Sequence, residues 1–259
     1  MGILNVTPDS FYDQGQFFDV DKAIAHGKLL YSQGADIIDI GGESTRPAAQ
    51  AVSAEIELKR VLPILEALHA ELPVQLSIDT MKAKVAASAI EKGATLINDV
   101  SGFVDPEMRA LAASSRADIC VMHMQGRPEN MQQNPYYEEG IVPFLLKWFE
   151  ERLELLIQSG VKESQIILDP GIGFGKTVAD NLEIIQNLHR FKAIGFPLLL
   201  GVSRKSFMGK IVNKPSNALL LETIAINTVA AQCGVDILRV HDVREHRDVL
   251  MLLEKLTET

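Results

Sequence analysis

The sequence predicts an α/β chain, a single-domain (β/α)8 TIM barrel over residues 1–259. Three observations carry this. Eight short apolar runs alternate strictly with eight amphipathic helical patterns, which close most naturally into a barrel. The runs are apolar throughout rather than at every second position, so both sheet faces are covered. Polar, Gly- and Pro-rich segments follow the runs repeatedly, as at the catalytic rim of a parallel barrel. A doubly wound open sheet is the alternative on pattern alone.

The first run, residues 2–6, leads into Thr7-Pro8-Asp9-Ser10-Phe11, and a helical pattern follows at 21–33. The second, 36–40, ends on Gly41-Gly42-Glu43-Ser44-Thr45-Arg46-Pro47 before a helix at 53–71. The third and fourth, 74–78 and 95–98, end at Asp79 and Asn98, with helices at 82–92 and 106–115. The fifth, 119–123, precedes a stretch at 124–135 rich in Met, Gln and Asn, which Pro128 and Pro135 make an irregular loop. A helix at 141–159 leads to the sixth run, 165–168, then Asp169-Pro170-Gly171-Ile172-Gly173-Phe174-Gly175-Lys176 and a helix at 178–190. The seventh, 197–202, is followed by Ser203-Arg204-Lys205-Ser206 and a helix at 218–232. The eighth, 236–240, leads to a closing helix at 243–256. Gly34, Gly93, Gly160, Gly195 and Gly234 stand just past helical patterns, where a left-handed residue costs glycine nothing. The pattern at 218–232 is apolar almost all round, which predicts a subunit interface on its outer side.

A net charge of −9, from 25 basic and 34 acidic residues, argues against non-specific nucleic-acid binding and against an anionic membrane surface. A few local cations still permit an anionic substrate. The two cysteines, Cys120 and Cys233, make no CxxC pair and point to a reducing compartment. There is neither a basic, apolar leader pattern nor a run of 18 apolar residues. The expectation is a cytoplasmic protein.

Residues 171–177 end in Gly-Lys-Thr, but a phosphate-binding loop needs glycine where Pro170 stands, and Lys176 occupies the third glycine position of a dinucleotide fingerprint. Asp79, Asn98 and Asp169 end three different strands, and strand ends of a barrel converge on one cavity. Two carboxylates and an amide aimed inward are costly without partners. A flat heterocycle with adjacent N–H donors, such as a pterin or guanine edge, would satisfy them. The plainer reading of each is a cap on the turn that follows. Lys205, Arg239 and His241 gather at the ends of strands seven and eight, the habitual phosphate site of this architecture. Asn5, beside strand eight, is placed to give an oxygen to a Mg2+ carried by a diphosphate. The segments at 7–11 and 44–47 read as lids that exclude water.

These segments, in this order, resemble the dihydropteroate synthase family, together with Ser-Ile-Asp-Thr, Ile-Asn-Asp-Val-Ser-Gly and Arg-Val-His-Asp. The resemblance runs from Met1 to the last helix. It implies condensation of (7,8-dihydropterin-6-yl)methyl diphosphate with 4-aminobenzoate, an alkyl transfer releasing pyrophosphate, by a dissociative route. It implies that Asp79, Asn98, Asp169, Gly201 and Lys205 bind the pterin, and that Asn5, Arg239 and His241 hold the diphosphate and its Mg2+. Thr45, Arg46, Pro47, Phe174 and Ser206 would frame 4-aminobenzoate. It also implies a homodimer and a sulfonamide target. Family members usually carry residues before the first strand, often a hairpin closing the barrel bottom, whereas the motif here starts at Met1. Tyr12, Gln14-Gly15 and Ala48-Ala49 depart from the commoner Ser and Gly residues. A pterin-dependent methyltransferase shares the barrel and the pterin pocket, but has no need of the Ser-Thr-Arg-Pro lid or a diphosphate site. A catalytically silent pterin-binding paralogue would have lost lid or cation residues.

Overall fold

The computed structural model describes residues 1–7, 12–13, 17–46 and 49–257. Its barrel strands are β1 (Gly2–Asn5), β2 (Ile37–Gly41), β3 (Gln75–Asp79), β4 (Leu96–Asp99), β5 (Asp118–Met122), β6 (Ile166–Asp169), β7 (Leu199–Leu200) and β8 (Ile237–Leu238). The first six form one parallel sheet in chain order. β7 pairs with β8, and bridges Leu168–Leu198 and Gly2–Val240 join this pair to both edges of the sheet, closing the barrel. The helices are α1 (Val20–Ser32), α2 (Ala54–Glu71), α3 (Ala83–Glu91), α4 (Pro106–Ser114), α5 (Ile141–Gln158), α6 (Val178–Gln186), α7 (Leu188–Lys192), α8 (Ser206–Val212), α9 (Leu220–Gln232) and α10 (Val243–Thr257).

Local chemistry sets many of these limits. Asp19, Ser53, Asp105 and Thr177 accept backbone N–H groups of the first turns of α1, α2, α4 and α6. The five glycines expected past helix ends all take positive φ, from 79° at Gly234 to 106° at Gly93.

Four expectations need correction. The helix read at 178–190 is two, because the backbone at Asn187 leaves helical angles and its Nδ2 donates to the Glu183 carbonyl at 2.8 Å. Regular pairing in strands seven and eight covers two residues each. The Asp236 carboxylate takes the Leu198 N–H at 2.6 Å, and the Leu198 carbonyl is shared by the amides of Asp236 and Ile237. α8 was not anticipated; it is seven residues long, too short for a clear period. The first lid segment continues into a two-stranded ribbon, Tyr12–Asp13 with Phe17–Phe18.

The pleat sorts each strand into two populations. Ile38, Ile40, Leu76, Ile78, Ile97, Ile119, Val121, Ile166, Leu168, Leu198 and Leu200 face the helices and belong to the large core between the two layers. Their neighbours Ile37, Leu96, Cys120, Ile167 and Leu199 form a second cluster with Met1, which plugs the barrel interior. Continuing two residues from Ile37, Leu96, Cys120, Ile167, Leu199 and Ile237, the last of which packs against the plug, gives Asp39, Asn98, Met122, Asp169, Gly201 and Arg239. The inner wall therefore turns from apolar to polar toward the C-terminal ends of the strands, where the loops gather.

Candidate active site

That polar end opens into a cavity of about 740 Å3. Asn5, Asp79, Gly201, Lys205, Arg239 and His241 line it from at or just beyond the strand ends, Thr45, Arg46 and Phe174 from the loops, and Ser206 from the start of α8. Asn98 and Asp169 are buried in the wall beside it and join it through hydrogen bonds and close packing. The second lid's Pro47, and residues 8–11 of the first, lie outside the described residues.

A residue that the sequence reading passed over holds the wall together. Asp39, fully buried in β2, accepts from Ser77 Oγ at 2.5 Å, Asn98 Nδ2 at 3.0 Å and Arg239 Nε at 2.6 Å. Register explains the first, since Asp39 pairs with Ser77 across β2 and β3. The Arg239 guanidinium also donates through Nη2 to Asp79 Oδ2 at 2.8 Å. Arg239 thus lies between two carboxylates whose charge raises its pKa despite burial. The signal was present in the sequence: a carboxylate inside an otherwise apolar, fully covered strand must have a partner.

Of the three polar strand ends, only Asp169 acts as a turn cap. Its Oδ1 accepts the Gly171 N–H at 2.8 Å. Capping after β4 falls to Asp99 instead, which takes the amides of Ser101 and Phe103, leaving Asn98 turned inward. Asp79 Oδ1 is buried and has no partner. Burial, with the negative charge of Asp39 and others nearby, pushes Asp79 up to about 7 against the pull of Arg239. Burial likewise raises Asp169, opposed by the Gly171 amide and by Lys205 and Arg239. Asp79 thus sits where an N–H donor is missing.

The cations are equally constrained. Lys205 Nζ lies 4.0 Å from the centre of the Phe174 ring, and burial, then Arg239, lowers it to about 8. His241 is pushed down to about 4 by burial and by the arginines around it. Its Nδ1 lies 2.9 Å from Ser203 Oγ, which also accepts the His241 amide at 3.2 Å. Ser203 Oγ therefore bridges the ring and the backbone of His241 and fixes the orientation of the neutral imidazole. Arg204, at φ 56°, donates Nε to Asp242 at 3.1 Å, and its amide donates to Thr223 Oγ1 on α9. This clamps the Lys205 loop between β8 and α9.

The loop after β6 is fixed by its carbonyls. Gln132 holds that of Gly173, Tyr137 that of Gly175, and Lys176 that of Phe174 at 3.0 Å. Lys176 Nζ also donates to His123 Nδ1 at 3.0 Å and His123 O at 3.2 Å. Burial lowers Lys176 to about 7 and His123 to about 2. Gly171 must be glycine, since a Cβ there would lie 2.0 Å from His123 O at φ 71°. The result is a rigid apolar shelf of Val100, Met122, Met131 and Phe174 beside the acids, suited to a flat ring.

Comparison with known proteins agrees with this geometry. The model of a family described as pterin binding enzyme matches residues 1–241. A dihydropteroate synthase of Haemophilus influenzae is 44% identical over 96% of this chain and 90% of its own length. The structure of Xanthomonas albilineans dihydropteroate synthase with 4-aminobenzoic acid superposes with a TM-score of 0.94 at 39% identity, covering 100% of this chain and 92% of that one. A second structure of the Xanthomonas enzyme, with 7,8-dihydropteroate, gives 0.87 at 33% identity over 100% and 92% of the two chains. The chain belongs to the pterin-binding enzyme family, among its dihydropteroate synthases.

Proposed function

We propose that this cavity condenses (7,8-dihydropterin-6-yl)methyl diphosphate with 4-aminobenzoate by a dissociative substitution, to give 7,8-dihydropteroate and pyrophosphate. The observation that carries the reading is the meeting of two acids, Asp79 and Asp169, with three donors, Lys205, Arg239 and His241, around one barrel mouth. Asp169 takes the 2-amino/N3 edge of the pterin, while Asp79 and Asn98 take its other ring nitrogens. Lys205 approaches from the remaining side, with Gly201 below.

The bond from the methylene carbon to diphosphate breaks first, and both electrons leave with pyrophosphate. The cation left behind is delocalised over the pterin, next to two carboxylates already in place. Arg239 and His241 receive the leaving group. The 4-aminobenzoate nitrogen then forms the new C–N bond and loses a proton. Thr45, Arg46, Pro47, Phe174 and Ser206 frame this second substrate. No side chain forms a covalent intermediate. These donors suit a diphosphate, which the methyltransferase reading does not require.

Magnesium fits this donor set as a passenger of the diphosphate. Among the described residues no three His, Cys, Asp or Glu side chains gather to hold a metal ion. Asn5 offers one amide oxygen, enough for an ion that keeps most of its waters. When bound, the ion would neutralise charge on the leaving group.

We also assign a homodimer to α9. Its inward face is small and polar, with Thr223, Asn227 and Ala230 buried, while Leu221 and Val229 are 71% and 46% exposed. An inverted helix of this kind is covered by a second copy of the same surface. Two unpaired cysteines suit the cytoplasm, and among the described residues no helix is long and apolar enough to cross a membrane.

The test is to combine protein, dihydropterin diphosphate, 4-aminobenzoate and Mg2+ and look for dihydropteroate. Asp169→Asn should weaken pterin binding about tenfold to a hundredfold, the worth of one charge-assisted hydrogen bond. Arg46→Ala should mainly raise KM for the amine. Equal damage to pterin binding by both would contradict the assignments. Pyrophosphate release without the amine supports the dissociative order, and strict dependence on the amine counts against it.

A further inference from the structure

Glu43 stands inside the Gly-Gly-Glu-Ser-Thr-Arg-Pro segment but is absent from the cavity wall. Its carboxylate is buried and bonds back to the protein. Oε2 accepts the Val52 N–H at 2.6 Å and Lys82 Nζ at 2.8 Å. Residues 43 and 52 are the two ends of the loop that carries Thr45 and Arg46. One carboxylate oxygen therefore ties that loop closed at its base.

The same ammonium donates to Glu57 Oε2 at 2.7 Å. Glu57 is fully buried on α2, on the stripe that includes Val61, Ile64, Leu65 and Leu68, and its Oε1 has no partner. Arg60, three residues on, donates Nη1 to the Gly42 carbonyl at 2.7 Å. A Cβ at Gly42 would lie 2.7 Å from Val61 Cγ1 and 3.0 Å from Glu57 Cγ, so the loop base rests directly on the helix. Although burial opposes it, the hydrogen bonds that Lys82 donates to Glu43 and Glu57 hold its pKa above the ordinary value, so the ammonium stays charged. An apolar residue at position 57 would pack into this stripe at less cost than a carboxylate with one oxygen unsatisfied. Specifying the position of the loop accounts for the charge.

We infer that Glu43, Lys82 and Glu57 are positioning residues for the 4-aminobenzoate end of the site. They set the base of the loop at 44–51, and so the reach of Thr45 and Arg46, without touching either substrate. The inference rests on the reading that Thr45 and Arg46 frame the second substrate.

Steady-state kinetics and direct pterin binding on Glu43→Gln and Lys82→Arg test it, with thermal melting alongside. Glu43→Gln leaves Lys82 a single carboxylate partner and should raise KM for 4-aminobenzoate about tenfold or more, as misplaced positioning groups do. Pterin affinity and amine-independent pyrophosphate release should stay within about twofold of wild type, since neither uses the loop. Lys82→Arg, which keeps the charge between two carboxylates, should lie closer to wild type in KM for the amine. A Glu43→Gln protein that melts lower but keeps the wild-type KM for the amine overturns the inference, as does an equal loss of affinity for both substrates. A wild type that makes no dihydropteroate overturns the functional reading beneath it, which is a separate result.

Discussion

Substituting Asp39 by Asn should be far more damaging than its distance from the reacting atoms would indicate. The side chain is fully buried and accepts three hydrogen bonds, from Ser77, Asn98 and Arg239. Asparagine keeps the volume and one acceptor oxygen, but turns an N–H toward a set of donors. Breaking one partner out of a buried ion pair costs about 3–5 kcal/mol. Arg239 keeps its second partner, Asp79, and its side chain remains 19% exposed, which favours the low end, about 3 kcal/mol. For a chain of this size that is a fall in Tm of roughly 6–12 °C. Urea or thermal unfolding of Asp39→Asn, Arg239→Met and the double variant forms a cycle that isolates the pair. Removing Asp39 should cost about 2 kcal/mol less once Arg239 is gone. A single variant within about 0.5 kcal/mol of wild type, or a cycle with no coupling, would refute the account of Asp39 as the anchor of Arg239.

Three further outcomes are expected. Lys205 is held at about 8 by burial and by Arg239, so kcat/KM should fall as pH rises past that value. Lys205→Arg should move the alkaline limb upward, and an unmoved limb would exclude Lys205 as its source. His123 is depressed to about 2 by burial and by Lys176, so it lends stability that is fully present above its unfolded value of about 6.5 and is lost as pH falls toward the folded value. The loss should approach 2–3 kcal/mol by about pH 4.5, and unfolding of His123→Gln across that window should show a flatter slope if His123 causes it. Replacing Leu221 and Val229 together by Asp should convert a dimer into a monomer on sedimentation; a wild type that sediments as a monomer, or a double variant that stays paired, would remove α9 as the interface.

The barrel was legible in the sequence because buried parallel strands and glycine-terminated helices leave local marks, and the polar strand ends were legible because punctuation follows them. What escaped was set by contacts between distant segments. Asp39 carries no turn signal, and its partners Ser77, Asn98 and Arg239 lie 38, 59 and 200 positions away. Glu43 was visible only as part of a motif, since nothing local reveals that it reaches Val52 and Lys82. The short regular pairing of strands seven and eight depends on the Asp236 carboxylate capturing the Leu198 amide. The cap reading suited Asp169 but not Asn98, because the neighbouring Asp99 does that work.

The alternation along the inner wall has a consequence for how the chain finds its alignment. Sliding β2 by a single residue would thrust Asp39 among the aliphatic side chains beneath the helices and bring Ile38 or Ile40 to the polar inner wall. The penalty would come from Asp39, parted from Ser77, Asn98 and Arg239. The carboxylate that anchors Arg239 thus also proofreads the alignment of β2, and a substitution that neutralises it removes a checkpoint of assembly along with a support of the site.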